Sequence, residues 1–336
     1  MTQRRSNVSL RLTFDVSNRV SVSEKPAFFI RDLPIHGDLI LAPLSGYNDQ
    51  PFRRLCREFG AALTYTGLLA VNAIFGGSRR TSEMLRFHPA ERPLAAQIFG
   101  SDEETIEAAA RFIEPLGIDV LDVNLGCAEP KVVKGGGGAA LLQDPAKIGR
   151  IFARLARALS IPVTAKIRLG WDEAGRNYLE VARVLEDNGA ALIAVHGRTA
   201  VQAYSGAADW DAIAEVKQAV HVPVLASGDV RSVADIDRIR RHTGCNGVMI
   251  GRAAVGNPWL FRRLDLAQVP LEERVPVISR HLRWMVDFHG PLHGVQRFRK
   301  HLLGYLRETC VARRVRRQLL QCDDPDRLLM MLGQLP

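Results

Sequence analysis

The stretch Asp122-Val-Asn-Leu-Gly-Cys127-Ala-Glu-Pro-Lys-Val-Val-Lys-Gly135-Gly-Gly-Gly138 sets the reading of this 336-residue chain. A short apolar run ends in Asn124, a cysteine follows three residues later, and a run of glycines comes soon after. Glycine carries no Cβ, so such a run either turns sharply or lets another group come very close. A thiol at the mouth of that turn has the reach of a reactive group on a ligand-binding loop.

Working outward, short apolar runs closed by a polar residue recur along the chain. They span 39–42, 63–66, 94–99, 120–124, 163–167, 192–196, 222–226 and 247–250. Helix starts lie between them, such as Ser101-Asp-Glu-Glu104 ahead of 105–116 and Asp144-Pro145 ahead of 146–159. Near-continuous apolar strands alternating with helices predict a parallel sheet covered by helices. Eight such units predict an α/β chain closed into a (β/α)8 TIM barrel. An open doubly wound sheet is weakened by the lack of G-x-G-x-x-G after the first strand. From about residue 270 the spacing turns helical, through Ile278, Leu282, Met285 and Val286 and then Phe298, Leu302, Tyr305 and Leu306. This predicts a C-terminal all-helical bundle domain. The expected organisation is an N-terminal extension over 1–36, a barrel over 37–264 and a helical domain over 265–336.

The chain is 47% apolar, enough for a substantial core, and carries 45 Lys and Arg against 36 Asp and Glu, a formal +9. From Phe261 onward there are 14 Lys and Arg against 8 Asp and Glu, so the basic excess concentrates in the helical part. That balance favours a polyanionic partner. Five cysteines with no C-x-x-C pair speak against a disulfide framework or a metal site and for a reducing, cytoplasmic setting. Residues 1–36 hold no apolar signal core, and no run reaches membrane-spanning length, so no membrane partner is expected. Nothing reads as a dedicated dimer face, which predicts a monomer.

In a barrel, the C-terminal ends of the strands surround the active site. Here they carry Pro43 with Leu44, Tyr65, Gln97, Asn124, Lys166 with Arg168, His196, Ser227 with Gly228 and Asp229, and Gly251 with Arg252. The turns after strands seven and eight, Ala226-Ser-Gly-Asp-Val230 and Ile250-Gly-Arg-Ala253, stand where barrels build phosphate sites from backbone N–H groups. Lys166, Gln97 and His196 suit the edge of a planar heterocycle. Flavin mononucleotide (FMN) meets both halves of that description. Cys56 and Cys245, set among apolar residues, read as inert buried thiols.

With these residues in view, the chain resembles the tRNA-dihydrouridine synthases, closest to the B-type bacterial subfamily. The resemblance rests on Leu41-Ala-Pro-Leu-Ser-Gly-Tyr-Asn-Asp-Gln-Pro-Phe-Arg53, Ala96-Gln-Ile-Phe-Gly100, Asp122-Val-Asn-Leu-Gly-Cys127 and Lys131-Val-Val-Lys-Gly-Gly-Gly-Gly-Ala-Ala-Leu-Leu142. It continues through Thr164-Ala-Lys-Ile-Arg-Leu-Gly170, Val195-His-Gly-Arg-Thr199, Gly247-Val-Met-Ile-Gly-Arg-Ala253 and Arg299-Lys-His-Leu-Leu-Gly-Tyr305. Two positions depart from the family pattern: Ala128 stands where proline is usual, and Ser227 where asparagine is usual.

The resemblance implies an FMN-dependent barrel enzyme that reduces uridine in tRNA, with NADPH or NADH as electron donor. It implies hydride delivery from the flavin to carbon 6 of the uracil and proton donation from Cys127 to carbon 5. Asn124 would hold the uracil edge, and Arg168 and Arg198 would serve the uracil carbonyls or RNA phosphates. Arg297, Arg299 and Lys300, with the Arg313–Arg317 run, are the candidates for RNA phosphate contact. Two rival functions stay open: an FMN barrel oxidoreductase acting on a small molecule, and a non-catalytic RNA-binding relative that keeps the barrel as scaffold.

Overall fold

A computed structural model describes residues 25–335; Arg4, Arg5, Arg11 and Arg19 of the expected extension lie outside the described residues. An antiparallel hairpin of β1 (Phe28–Ile30) and β2 (Leu33–Ile35) comes first. The remaining strands are β3 (Leu39–Leu41), β4 (Thr64–Tyr65), β5 (Leu69–Ala70), β6 (Leu94–Phe99), β7 (Val120–Leu125), β8 (Val163–Arg168), β9 (Ile193–His196), β10 (Val224–Ser227) and β11 (Gly247–Ile250). They pair in parallel in the order β3-β11-β10-β9-β8-β7-β6-β4, with β5 beside the end of β6. A parallel bridge between Ile40 and Leu63 joins the two ends of that order. The result is the expected (β/α)8 barrel, and each of the eight apolar runs read from the sequence contributes one of its strands.

Helices follow the strands because their starts are capped by side chains. Asp49, Asp102, Asp144, Asp209 and Ser232 each accept a backbone N–H of the helix they precede. The two-residue alternation of a strand then divides the barrel interior along its axis. Ala95, Val120, Leu192, Ala194, Leu225 and Met249 fill the lower interior with apolar groups. On the same strand faces, further along, come Gln97, Asp122, Asn124, Lys166, His196 and Ser227. The barrel is oily at its base and polar at its mouth.

The hairpin closes that base. Phe28, Ile30 and Ile35 are buried and belong to the interior cluster with Ile40, Leu63 and Val120. Residues 28–35 of the expected extension are therefore packed into the barrel. Strands of three residues give too little alternation to stand out in the sequence.

Four helices form the C-terminal bundle: Leu271–His289, Pro291–Tyr305, Arg313–Gln321 and Pro325–Gly333. It docks on the helix Gln50–Glu58, where the Phe52 ring lies 4.7 Å from His301 and the Arg54 guanidinium 4.0 Å from the Trp284 ring. Backbone also meets backbone. A Cβ on Gly304 would lie 2.2 Å from the Val255 carbonyl oxygen, so only glycine permits this approach.

The seam between β3 and β4 is held by side chains from the matched segment that ends at Arg53. Asn48 donates to the carbonyls of Ala42 (2.8 Å) and Tyr65 (2.9 Å), tying the ends of both strands together. Arg53, fully buried, pairs with buried Glu91 at 2.6 Å and donates to the carbonyls of Asn48 and Arg86. Removing one partner of such a pair strands a charge. Arg53→Met should therefore cost about 3–5 kcal/mol in urea denaturation, and adding Glu91→Leu should restore most of that loss.

Candidate active site at the barrel mouth

A cavity of about 590 Å³ opens at the C-terminal ends of β8 to β11. Nine of the ten residues expected to contact a cofactor line it: Pro43, Leu44, Lys166, His196, Ser227, Gly228, Asp229, Gly251 and Arg252. The tenth, Gln97, lies deeper, facing Asp122 and Asn124. Its size falls in the ordinary range for a cofactor pocket. Gly228 has φ +123°, and a Cβ there would sit 2.7 Å from Ala208 and 3.0 Å from the His196 ring. The turn after β10 thus bares its backbone to the cavity, as a phosphate cradle requires. The residues present fit a phosphorylated planar cofactor.

The loop after β9 forms one wall. Arg198, buried, donates to both carboxylate oxygens of Asp229 (2.9 and 2.7 Å) and to the carbonyls of Ser205 and Gly206. Asp229 also accepts the Ala208 N–H at 2.7 Å. The pair locks the loop after β9 to the turn after β10. His196 is held neutral, pushed down to about 2 by burial and then by Lys166, Arg168, Arg198 and Arg252. Its Nε2 stands 3.4 Å from the Arg198 guanidinium, which only donates, so the imidazole proton is on Nδ1. Tyr204, on the same loop, is 59% exposed and has the Arg252 guanidinium 4.3 Å from its ring. Nothing local to Tyr204 in the sequence marks it as part of a site.

On the other side of the mouth, one chain of hydrogen bonds runs from the interior to the cysteine loop. Thr164 Oγ1 donates to Asp122 Oδ1 (2.6 Å), and Gln97 Nε2 donates to Asp122 Oδ2 (2.7 Å). Asn124 Nδ2 donates to Gln97 Oε1 (2.8 Å), and Asn124 Oδ1 accepts the N–H groups of Gly126 (3.1 Å) and Cys127 (2.8 Å). The Cys127 carbonyl accepts from Ala139 N–H at 3.0 Å. Gly138 makes this possible, with φ +59° and a position where a Cβ would fall 2.6 Å from that carbonyl oxygen. Burial raises Asp122 to about 7 against the pull of Thr164, Gln97 and Lys166, and burial with Arg168 lowers Lys166 to about 8.

The remaining candidates are spread more widely. Arg168 donates to the carbonyls of Gly126, Thr199 and Ala203, so it braces both loops from beneath. Arg297 lies exposed in a groove between the mouth and the bundle, with Tyr47, Asp49, Arg80 and His289. Arg299 pairs with Asp323 at 2.6 Å, and Lys300 Nζ sits 4.6 Å from the Tyr47 ring centroid. Cys56 and Cys245 are buried, and burial raises both thiols.

A closed barrel that sets a bared glycine turn and a loop thiol around one mouth is the layout of a barrel enzyme. A sequence profile described as Dihydrouridine synthase (Dus) matches residues 40–334, and the chain belongs to that family of flavin-dependent oxidoreductases. It is 39% identical over 297 residues to "tRNA-dihydrouridine synthase B" of Pseudomonas aeruginosa PAO1, covering 86% of this chain and 89% of that protein. It is 38% identical over 275 residues to a "Probable tRNA-dihydrouridine synthase" of Rhizobium leguminosarum bv. phaseoli, covering 82% of this chain and 86% of that one. Among solved structures, a 2-naphthoyl-CoA reductase complex matches with a TM-score of 0.56 at 10% identity, over 70% of this chain and 51% of that one, a likeness of fold alone.

The raised Asp122 predicts a pH signature. An ordinary aspartate releases its proton near 3.8, whereas the folded protein holds this one to about 7. The resulting stabilisation is complete below the lower value and is lost as pH rises through the upper one. Asp122→Asn does not titrate. The melting temperature of the natural protein should therefore fall relative to that variant as pH is raised from 4 to above 7, and a flat difference would show an ordinary carboxylate.

Proposed function

We propose that this protein reduces uridine in tRNA to 5,6-dihydrouridine, as a monomer, with its barrel as the catalytic part and its helical bundle as the RNA-binding part. The observation that carries the reading is the shared mouth: a cofactor-sized cavity on one side and Cys127, seated by Asn124, on the other. Bound in that cavity, FMN would supply hydride for carbon 6 of the uracil ring, with NADPH or NADH as the source of its electrons.

The protein's own groups do the rest. Backbone N–H groups at Ser227-Gly228 and Gly251-Arg252 would hold the phosphate, with the Ser227 hydroxyl and the Arg252 charge beside them. Pro43 and Leu44 give the cavity an apolar wall, Lys166 and neutral His196 offer donors to the polar edge of the ring system, and Gln97 stands deeper, its amide taken up by Asp122 and Asn124. Asp229 acts through Arg198, keeping the two adjoining turns together. Asn124 has a second N–H for a uracil carbonyl, and Arg168 and Arg198 add positive charge around the substrate while bracing its loops. Cys127 gives its proton to carbon 5, so the neutral thiol is the working form.

A base stacked in folded RNA is out of reach, and extruding it costs a few kcal/mol. Phosphate contacts offset that cost. Arg297 is exposed in the groove beside the mouth, and the exposed Arg313, Arg314 and Arg317 extend the positive surface. Arg299 and Lys300 support it from behind through Asp323 and Tyr47.

Cys127→Ala should keep FMN bound and reduce oxygen at the normal rate, yet lose uridine reduction on transcribed tRNA by about 100-fold or more, the scale of a lost general acid. Normal dihydrouridine formation in that variant, read by position-resolved mass spectrometry, would remove the cysteine from the chemistry. Activity on small enones with none on RNA would favour the small-molecule oxidoreductase. Arg297→Glu should weaken tRNA binding and lower the salt slope by about one unit for each lost phosphate contact.

A further inference from the structure

Asp122 enters none of the roles above, yet three side chains depend on it. An amide group has one end that accepts and one that donates, so its orientation is fixed only by what it faces. The lowest group in the chain of hydrogen bonds is the Asp122 carboxyl, which above about pH 7 is ionised and accepts only. Gln97 must therefore turn Nε2 toward Asp122, which leaves Oε1 facing Asn124. Asn124 must then turn Nδ2 toward Gln97, which leaves Oδ1 facing the N–H groups of Gly126 and Cys127. With a non-polar side chain at 122, Gln97 Nε2 loses its acceptor and the Gln97 amide is free to turn away, while the two backbone N–H groups still fix which end of Asn124 faces Cys127. Asn124 is then held from the loop side alone, and the seat of Cys127 loosens.

We propose that Asp122 is a positioning residue that holds the Gln97 amide and, through it, braces Asn124 and the seat of Cys127. Its bearing on catalysis rests on the proposed uridine reduction, but the seating of the thiol is measurable without it. Thr164 completes the device. Its hydroxyl donates to Asp122 Oδ1 and can turn instead to the Leu121 carbonyl, 3.5 Å away. An asparagine at 122 can therefore give Oδ1 to Gln97 and Nδ2 to Thr164, preserving the whole pattern. A leucine cannot.

The test compares Asp122→Asn, Asp122→Leu, Asn124→Leu and the double variant Asp122→Leu/Asn124→Leu. The readout is the rate of iodoacetamide labelling at Cys127 above pH 7, where Asp122 is ionised, resolved by peptide mass spectrometry in FMN-free and FMN-loaded protein. Exposed Cys310 of the same molecules serves as internal reference. Asp122→Leu and Asn124→Leu should each label Cys127 roughly fivefold faster than the natural protein, the factor for one ordinary hydrogen bond, and the double variant no faster than either. Asp122→Asn should label at the natural rate. Unchanged labelling in Asp122→Leu, effects that multiply in the double variant, or equal effects of asparagine and leucine would each overturn the proposal. If Asp122→Leu fails to fold, Gln97→Leu cuts the same chain at its middle with Asp122 in place, and must reproduce the faster labelling. An enzyme inactive on tRNA, with the labelling pattern intact, would refute the function and leave the positioning role standing.

Discussion

The constraint on which the molecule depends is closure of the barrel at its weakest seam. β3 and β4 are short and meet through one bridge, with Leu41 N–H on the Leu63 carbonyl at 3.0 Å and Ala62 N–H on the Leu39 carbonyl at 2.8 Å. Two backbone hydrogen bonds are few for a joint between the first and second strands of a barrel. The Asn48 amide adds two bonds at the strand ends, and Arg53 with Glu91 clamps the following helix against the loop before β6. Pro43 and Leu44 of the cavity wall lie directly after β3, and the bundle sits on the helix that begins at Gln50. Cavity wall, the groove beside Arg297 and bundle position all descend from this one joint.

The polar mouth follows from the same geometry that makes the core. Strand alternation sends every second residue inward, and the chain places apolar residues in the lower turns of that pattern and polar ones in the last. Burying Asp122, Lys166 and His196 together is costly unless each is paired or neutral. The structure meets this in different ways: Asp122 takes two donors, and His196 stays uncharged among four cations. A site so arranged holds its hydrogen-bond directions before any ligand arrives, which lowers the cost of ordering one.

The eight barrel strands and the cavity-lining residues at their ends were legible in the sequence because both obey short periods, two along a strand and one strand end per repeat. Parts that depend on distant partners were not. The basal hairpin has three-residue strands, one of them containing Pro34, so its pattern is too short to read. Arg198 and Arg299 look alike in sequence to arginines that face a ligand; only the positions of Asp229 and Asp323 in space show how they are used. The Asn48, Arg53 and Gly304 positions of the matched motifs hold strands, loops and domains together, a use that a motif alone does not reveal.

The backbone contact at Gly304 and Val255 has a mechanical meaning. Gly256 adds to it, since a Cβ there would lie 2.4 Å from the Tyr305 nitrogen. No side chain intervenes to act as a cushion, so the bundle is seated without play against the exit of the last barrel strand. On the proposed function, the molecule is a caliper with a fixed gap: one jaw grips RNA phosphates and the other holds the reacting thiol. Such a tool measures distance along a folded RNA instead of reading letters. A relative that reduces a different uridine would then have to re-seat its bundle, while its pocket stayed the same.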